Sequence, residues 1–323
     1  MHGVPRIEDF LHRTPALPAD YRQIVWDAQL EDDCRQLVRL SIREDLDRLY
    51  DWTTVALVPE KSRARATVVA RSAGVVAGLP AAKLALAEFD PELVWAPLVA
   101  DGDRVAAGAH LATLAGSARN MLTAERTLLN MLGRLCGVAT LTRAYVDAIA
   151  GSKARLFDTR KTTPGWRRLE KYAVRAGGGW NHRLGLFDGV LIKDNHLALG
   201  ATDATGRYSP AEAIDRCRQF IASMGAVPGR GDLLIEIEVD TLAQLEEVLP
   251  KHPDVVLLDN MQPAELRAAV ARRDALAPEV QLEASGGVNL QSIAAIAHTG
   301  VDRISTGALT HSAPWLDIAL DWA

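Results

Sequence analysis

The chain has 323 residues, 48% of them hydrophobic, with a formal net charge of −5 and a pI near 5.9. Such length and apolar content support a large core and two domains, and the acidic balance argues against a nucleic-acid or membrane role. No run approaches the roughly 18 apolar residues of a membrane span and no signal-peptide pattern is visible, while the scattered Cys34, Cys136 and Cys217 lack metal-ligand spacing and are expected to be reduced thiols of a cytoplasmic protein.

Residues 1 to about 20 carry Pro5, Pro15 and Pro18 with little periodicity, which predicts an irregular extension. From Tyr21 onward, Ile24, Val25, Ala28, Leu37, Val38, Leu40 and Ile42 predict one or two amphipathic helices. Ala66–Ala70 and Val75–Ala77 have strand composition, and a helix is expected near Pro80–Phe89. Asp101–Val105 and Gly108–Leu114 predict a hairpin around a tight acidic-glycine turn. The same pattern occurs in lipoyl and biotin carriers, but those need a lysine at the hairpin tip, and none stands between Lys83 and Lys153. Residues 21–125 are therefore expected to form a small α/β sandwich.

Thr123–Ile149 predicts a long helix with Leu128, Leu129, Leu132 and Leu135 as its apolar stripe. Arg126, Asn130, Gly133 and Gly137 share another face, where two glycines leave room for a very close neighbour.

Arg155–Phe157 and Val190–Ile192 predict strands, each followed at once by charged or polar residues, which is where α/β folds place catalytic groups. Between Asp158 and His196 there are eight Lys/Arg and four Asp/Glu, a local +4 in an acidic chain. That points to a small polyanionic substrate rather than a nucleic acid. Gly177–Gly179 allow a sharp turn that delivers His182 and Arg183 into a site. Arg160 and Arg183 are suited to two-pronged grips on carboxylates. Arg160, Lys161, His182, Arg183 and Lys193 are the candidate site residues, whereas Arg167, Arg168, Lys171 and Arg175 are expected as helix-surface charges.

Leu233–Val239 alternates, so a barrel strand here packs Ile235, Ile237 and Val239 under helices and turns Glu236 and Glu238 inward. Inward carboxylates need a cation or hydrogen-bond donors. A helix is expected from Thr241, a buried strand over Asp254–Leu258 ending in Asp259-Asn260, and a helix with Pro263 in its first position. Val280–Ala284 leads into Ser285-Gly286-Gly287 and a helix capped by Asn289, and Val301–Ile304 leads into Ser305-Thr306-Gly307. Two such strand ends in succession suggest a phosphate cup of backbone N–H groups. Six strands are visible in this half, short of eight, and a last helix over Pro314–Trp322 is expected to pack back on the sandwich.

The runs DTRKTTPG (158–165), GGGWNHR (177–183) and LIKDNH (191–196) together resemble the hallmark motifs of the quinolinate phosphoribosyltransferases. Glu125-Arg126-Thr127 with Asn130, Arg134 and Gly137–Thr140 is similar to the family's long helix, with Cys136 for the usual serine. Glu44-Asp45-Leu46 and Asp51-Trp52-Thr53-Thr54 resemble its entry segment, with Trp52 for a smaller residue. The resemblance runs from about Arg43 to the C-terminus. It departs from the compact pattern in the N-terminal extension and in a longer connection between about Ala201 and Asp232, and Trp166 and Trp180 are bulkier than usual.

The resemblance implies an α/β chain with an N-terminal open-faced α/β sandwich (21–125 plus about 313–323) and an incomplete, about six-stranded β/α barrel (126–312). It implies transfer of phosphoribosyl from phosphoribosyl pyrophosphate (PRPP) to quinolinate with decarboxylation, in de novo NAD biosynthesis. It also implies a homo-oligomer, at least a dimer, in which Arg126 reaches the neighbouring site. On this reading Arg160, His182, Arg183 and the partner's Arg126 bind the two carboxylates of the ring. Lys161, Lys193 and Mg²⁺ neutralise pyrophosphate, and Glu238 and Asp259 serve the metal and the ribose. Thr159 belongs to the substrate-binding set, and Ser285, Gly286, Gly287, Ser305, Thr306 and Gly307 nest the 5′-phosphate. Three other readings compete: a phosphoribosyltransferase for nicotinate or another aromatic acid, a barrel lyase with Lys193 as a Schiff base, and an inactive phosphate-binding regulator.

Overall fold

A computed structural model describes residues 20–200, 206–225 and 233–323. The extension expected over residues 1–19, and residues 201–205 and 226–232 of the longer connection, lie outside the described residues. In chain order the first elements are α1 (Ala28–Leu46), α2 (Trp52–Leu57), β1 (Arg63–Ala70), β2 (Gly74–Val75), α3 (Leu79–Phe89), β3 (Val94–Pro97), β4 (Arg104–Val105), β5 (His110–Ser117) and α4 (Ala118–Ala148). Then come β6 (Arg155–Phe157), α5 (Arg167–Ala176), β7 (Val190–Ile192), α6 (Asp194–Gly200), α7 (Pro210–Met224), β8 (Ile235–Val239), α8 (Leu242–Val248) and β9 (Val255–Asp259). The chain ends with α9 (Pro263–Leu276), β10 (Gln281–Ser285), α10 (Ile293–Ala297), β11 (Arg303–Ser305), α11 (Ala308–His311) and β12 (Ile318–Trp322).

Six strands form a parallel sheet in the order β6-β11-β10-β9-β8-β7, and each is followed by helical chain, the βα repeat of an incomplete barrel. Ile192, Ile237, Val256, Leu258, Leu282 and Ile304 face outward into one core with Ile214, Leu245, Leu266 and Ile293 of the covering helices. The alternate residues face inward, as alternation along β8 predicts. Helix starts are set by local chemistry: Thr241 and Gln244 cap α8 reciprocally, Ser209 and Glu212 do the same for α7, and Pro263 stands in the first turn of α9.

The other body is an antiparallel sheet in the order β12-β1-β5-β3, with α3 and the first half of α4 packed on it. Its core joins Val68, Leu111 and Leu114 of the sheet to Leu86, Leu128 and Leu132 of the helices. The expected boundary near residue 125 falls within α4, one continuous helix whose Ser117 cap accepts from Asn120 N–H.

Three expectations need correction. The last segment returns to the sandwich as a strand, with Ala66–Ala70 of β1 registered against Trp322–Ile318, because the alternation of Ile318 and Leu320 suits the open sheet edge. Asp101–Val105 and Gly108–Leu114 do not pair with each other: β4 pairs with β2, and β5 lies between β1 and β3. The Asp101 carboxylate instead accepts from Gly78 and Leu79 N–H at 2.9 and 3.0 Å, capping α3. Third, Tyr21–Asp27 precede the helix rather than join it, and Asp27 is the cap.

The glycine face of α4 receives the C-terminal segment. A Cβ on Gly137 would stand 2.1 Å from Pro314 O, and one on Gly133 would stand 3.2 Å from Leu316 O. That close approach docks sandwich and barrel on a single helix.

Candidate active site

At the C-terminal ends of the barrel strands, one cavity of about 480 Å³ gathers Thr159, Arg160 and Lys161 after β6, Arg183 and Lys193 on either side of β7, and Glu238 of β8. Asp259 of β9, Ser285 at the end of β10, Gly286 and Gly287 after it, and Ser305 of β11 complete the polar wall, and His182 also lines the cavity. Leu191, Leu257 and Asn260 also line it. Arg126, Thr306 and Gly307 do not. Thr306 is buried and its hydroxyl donates to Val288 O at 3.0 Å. Gly307 makes room for the Lys161 stem, whose Cδ lies 2.8 Å from where a Cβ would be. Arg126 is exposed on α4. A larger hollow of about 620 Å³ beside Trp26 and Trp95 carries only Glu31, Arg35 and Lys83 as charged lining, and Arg35 there is held by Glu31 and Glu88.

Lys193 Nζ pairs with Glu238 across neighbouring strands. Burial first, then the nearby Asp259 and Asp194 carboxylates, raise the Glu238 pKa against the opposing pull of Lys193. Two facing acids that suffer from each other's charge suit a cation or a set of hydroxyl donors. Across the cavity stands Arg160, whose Nε is itself buried and has no hydrogen-bond partner among the described groups. Arg183 is 6% exposed and donates to Gly189 O at 3.4 Å.

Asn260 was missed from sequence. Its φ is +55°, its N–H donates to Ser285 O at 2.9 Å, and its side-chain amide donates to Asp259 Oδ2 at 2.7 Å. Gly286, at φ +92°, is cut to fit it, because a Cβ there would stand 2.2 Å from Asn260 Oδ1. The signal was the asparagine directly after the β9 aspartate.

Beneath this rim lies a buried scaffold. Asp158 accepts from His182 N–H at 2.9 Å and from Asn181 Nδ2 at 2.8 Å, and pairs with Lys171 Nζ, which also donates to His182 O at 2.8 Å. One carboxylate thus ties the β6 end to the glycine turn. Lys171 is the main departure from the helix-surface expectation: its side chain is 0% exposed, because Asp158 needs a counter-charge where water cannot reach. Its neighbours are also engaged. Arg167 donates to Thr162 Oγ1, Arg168 pairs with Asp33, and Arg175 lies over Trp180 and donates to Gly179 O. Arg134 of α4 clamps the 158–165 loop through Glu170, which accepts from Thr163 N–H at 3.1 Å.

His182, expected in the carboxylate clamp, has both ring nitrogens engaged. Nδ1 accepts from Arg183 N–H at 2.8 Å, and Nε2 lies 3.1 Å from Glu236 and 3.6 Å from Glu283. Those contacts assign the Nε2–H tautomer. Burial opposes a charged imidazole, but the two glutamates outweigh it and raise the His182 pKa. Burial and the adjacent Glu236 push Glu283 up to about 7, whereas donors and charges around Glu236 overcome its burial and lower it. Beside this cluster, Arg155 and Arg303 both stand against the Asp20 carboxylate.

Comparison with known proteins points one way. The family model described as quinolinate phosphoribosyl transferase, N-terminal domain, matches residues 51–136, and the C-terminal domain model matches residues 138–321. The chain is 45% identical over 292 residues to the carboxylating nicotinate-nucleotide pyrophosphorylase of Mycobacterium leprae, covering 90% of this chain and 97% of that one. It is 35% identical to a decarboxylating quinolinate phosphoribosyltransferase of Nicotiana tabacum, covering 97% of this chain and 86% of the other. The solved nicotinate-nucleotide pyrophosphorylase of Francisella tularensis superposes with a TM-score of 0.83 at 34% identity, covering 94% of this chain and 100% of that one.

Proposed function

The chain belongs to the quinolinate phosphoribosyltransferase family, and we propose that the barrel-end cavity carries out the family reaction with the residues described above. The enzyme transfers phosphoribosyl from PRPP to the ring nitrogen of quinolinate, with loss of one carboxylate, giving nicotinate mononucleotide, CO₂ and pyrophosphate in de novo NAD biosynthesis. The observation that carries the reading is the single cavity that holds Arg160, Lys161, Arg183 and Lys193 on one side and Glu238 and Asp259 on the other.

Arg160 and Arg183, both on the cavity wall, grip the ring carboxylates with planar donors. Ser285, Gly286, Gly287 and Ser305, which line one wall of the cavity, cradle the 5′-phosphate with hydroxyl and backbone N–H donors. Lys161 and Lys193 face the departing pyrophosphate. Glu238 and Asp259 are placed for the ribose hydroxyls and for Mg²⁺ brought with PRPP, which would neutralise pyrophosphate charge, and the raised Glu238 pKa beside Asp259 supports that fit. Holding two polyanions in register and stabilising the leaving group supply most of the acceleration through an oxocarbenium-like transition state. Once the ring nitrogen is cationic, the ring accepts the electrons released with CO₂, and the site contributes positioning and desolvation. Lys193 is spent on Glu238, which disfavours a Schiff-base role.

The active unit is a homo-oligomer, at least a dimer, in the cytoplasm. Arg126 lines no part of its own chain's cavity and stands exposed on α4, near the exposed apolar side chains of Leu122, Trp52, Val55 and Leu57. A surface of that kind suits a second copy, with Arg126 entering the neighbouring site. Among the described residues no helix is long and apolar enough to cross a membrane.

The test is stoichiometry. Purified protein with Mg²⁺, PRPP and carboxyl-labelled quinolinate should release CO₂ and pyrophosphate one for one. Pyrophosphate without CO₂, or CO₂ without PRPP, would contradict the assignment.

A further inference from the structure

The barrel is open between β6 and β7, the two edge strands of its sheet. Two pieces of chain fill that seam. The glycine turn lies along β6, with Trp180 N–H donating to Leu156 O at 2.7 Å and Trp180 O accepting from Asp158 N–H at 3.0 Å. Against the turn lies Asp20–Ile24, outside the family-model matches, which begin at residue 51.

This segment holds three polar groups of Asn181, its N–H, its backbone carbonyl and its Oδ1. The Gln23 carboxamide donates to Asn181 O at 3.0 Å and accepts from Asn181 N–H at 2.8 Å, and Ile24 N–H donates to Asn181 Oδ1 at 2.8 Å. Asn181 is fully buried, so those backbone and amide groups have no water to fall back on. Tyr21 then enters the barrel interior. Its ring stacks on His182 at 4.6 Å between centroids, and its hydroxyl donates to Glu236 Oε2 at 2.5 Å. The far rim is shaped to receive it: Gly189 has φ +129°, and a Cβ there would stand 2.9 Å from Tyr21 Cε1. Asp20 anchors the near end on Arg155 and Arg303.

We propose that Asp20–Ile24 is a strap belonging to the substrate-binding machinery, in which Tyr21 and Gln23 are positioning residues that hold the Asn181–Arg183 turn and so aim the Arg183 guanidinium at the dicarboxylate substrate. The chain of contacts is short. Tyr21 fixes Glu236 and the face of His182, His182 Nδ1 accepts the Arg183 N–H, and Arg183 enters the cavity. The strap meets β8 and β11 only at Glu236 and Arg303, neither of which lines the cavity, so its nearest hold on the cavity wall is the Asn181–Arg183 turn on the aromatic-acid side. Tyr21 is the more exacting residue, since it combines a ring that packs against His182 with a hydroxyl that satisfies a buried carboxylate.

The inference rests on quinolinate being the aromatic acid. It is tested with Tyr21→Phe, which keeps the ring and removes the hydroxyl, and with Gln23→Ala, at a part-buried position where the core is not breached. Steady-state kinetics should show the quinolinate KM raised about tenfold in each variant, with the PRPP KM within about twofold of wild type. Gln23→Glu, which keeps an acceptor for Asn181 N–H, should fall between wild type and Gln23→Ala. An unchanged quinolinate KM in both variants, an equal rise in both KM values, or a lowered melting temperature with no change in KM would overturn the strap. Failure of the wild-type enzyme to turn over quinolinate would instead refute the functional reading, so the two failures are told apart.

Discussion

Replacing Lys171 by methionine removes the cation paired with the fully buried Asp158 carboxylate while keeping most of the side-chain volume. Both Asp158 and Lys171 side chains are 0% exposed. Burial lowers the Lys171 pKa and Asp158 opposes that pull, as expected of an ammonium retained for a partner. In the variant, Asp158 keeps His182 N–H at 2.9 Å and Asn181 Nδ2 at 2.8 Å, but its charge is uncompensated and His182 O loses its 2.8 Å donor. Breaking one partner of a buried pair costs about 3–5 kcal/mol. At roughly 2–4 °C per kcal/mol for a domain of this size, the melting temperature should fall on the order of 10 °C. Scanning calorimetry at pH 7 measures it. Adding Asp158→Asn removes the stranded charge and should recover part of the loss, giving a coupling above about 2 kcal/mol in the double-mutant cycle. A single-variant loss below about 1 kcal/mol, or strictly additive losses, would refute the reasoning that Lys171 exists to neutralise Asp158.

Gly286→Ala should raise the PRPP KM tenfold or more and leave the quinolinate KM nearly unchanged, since the new Cβ meets Asn260 Oδ1 and N at 2.2 and 2.9 Å; equal effects on both would dissociate this turn from the phosphate. Because the folded-state pKa of Glu283 lies near 7, above the roughly 4.3 of an unfolded glutamate, its contribution to stability is fully present below about pH 4 and declines as pH rises through 7. Thermal denaturation of Glu283→Gln across pH 5–8 should therefore show a flatter decline than wild type, and an identical slope would count against the buried proton. Co-folding Arg126→Ala chains with Lys193→Ala chains should restore part of the activity that each lacks alone, because a mixed dimer holds one intact site; inactive verified heterodimers would refute the shared site.

The barrel-end cavity was legible because its residues follow strands whose periodicity and punctuation are local. Lys193 after Val190–Ile192 and Ser285-Gly286-Gly287 at the end of β10 need no tertiary knowledge to be placed. What local pattern could not show is which charges are buried. Lys171 sits in a helix with charged neighbours and carries no mark in sequence that its partner, Asp158, is 13 residues away in a dry interior. Tyr21 was equally opaque: it lies 215 residues from Glu236, and no periodicity links an irregular segment to a barrel strand. β12 was misread because five residues, Ile318–Trp322, with proline a few positions ahead fit a terminal helix as well as a strand until the open edge of β1 is known. The hairpin fails for a related reason, since pairing partners across a sheet are set by the whole fold and not by the turn between them.

The central claim is that this site clamps two carboxylates on one aromatic ring, and paired kinetics with quinolinate and nicotinate under identical PRPP and Mg²⁺ tests it most directly. A site whose buried donors are built for two carboxylates should lose on the order of 10²–10⁴ in kcat/KM when one is missing. The account predicts nicotinate mononucleotide and CO₂ from quinolinate, with nicotinate slower by that factor. Comparable kcat/KM for the two acids, or product from nicotinate alone, would contradict it.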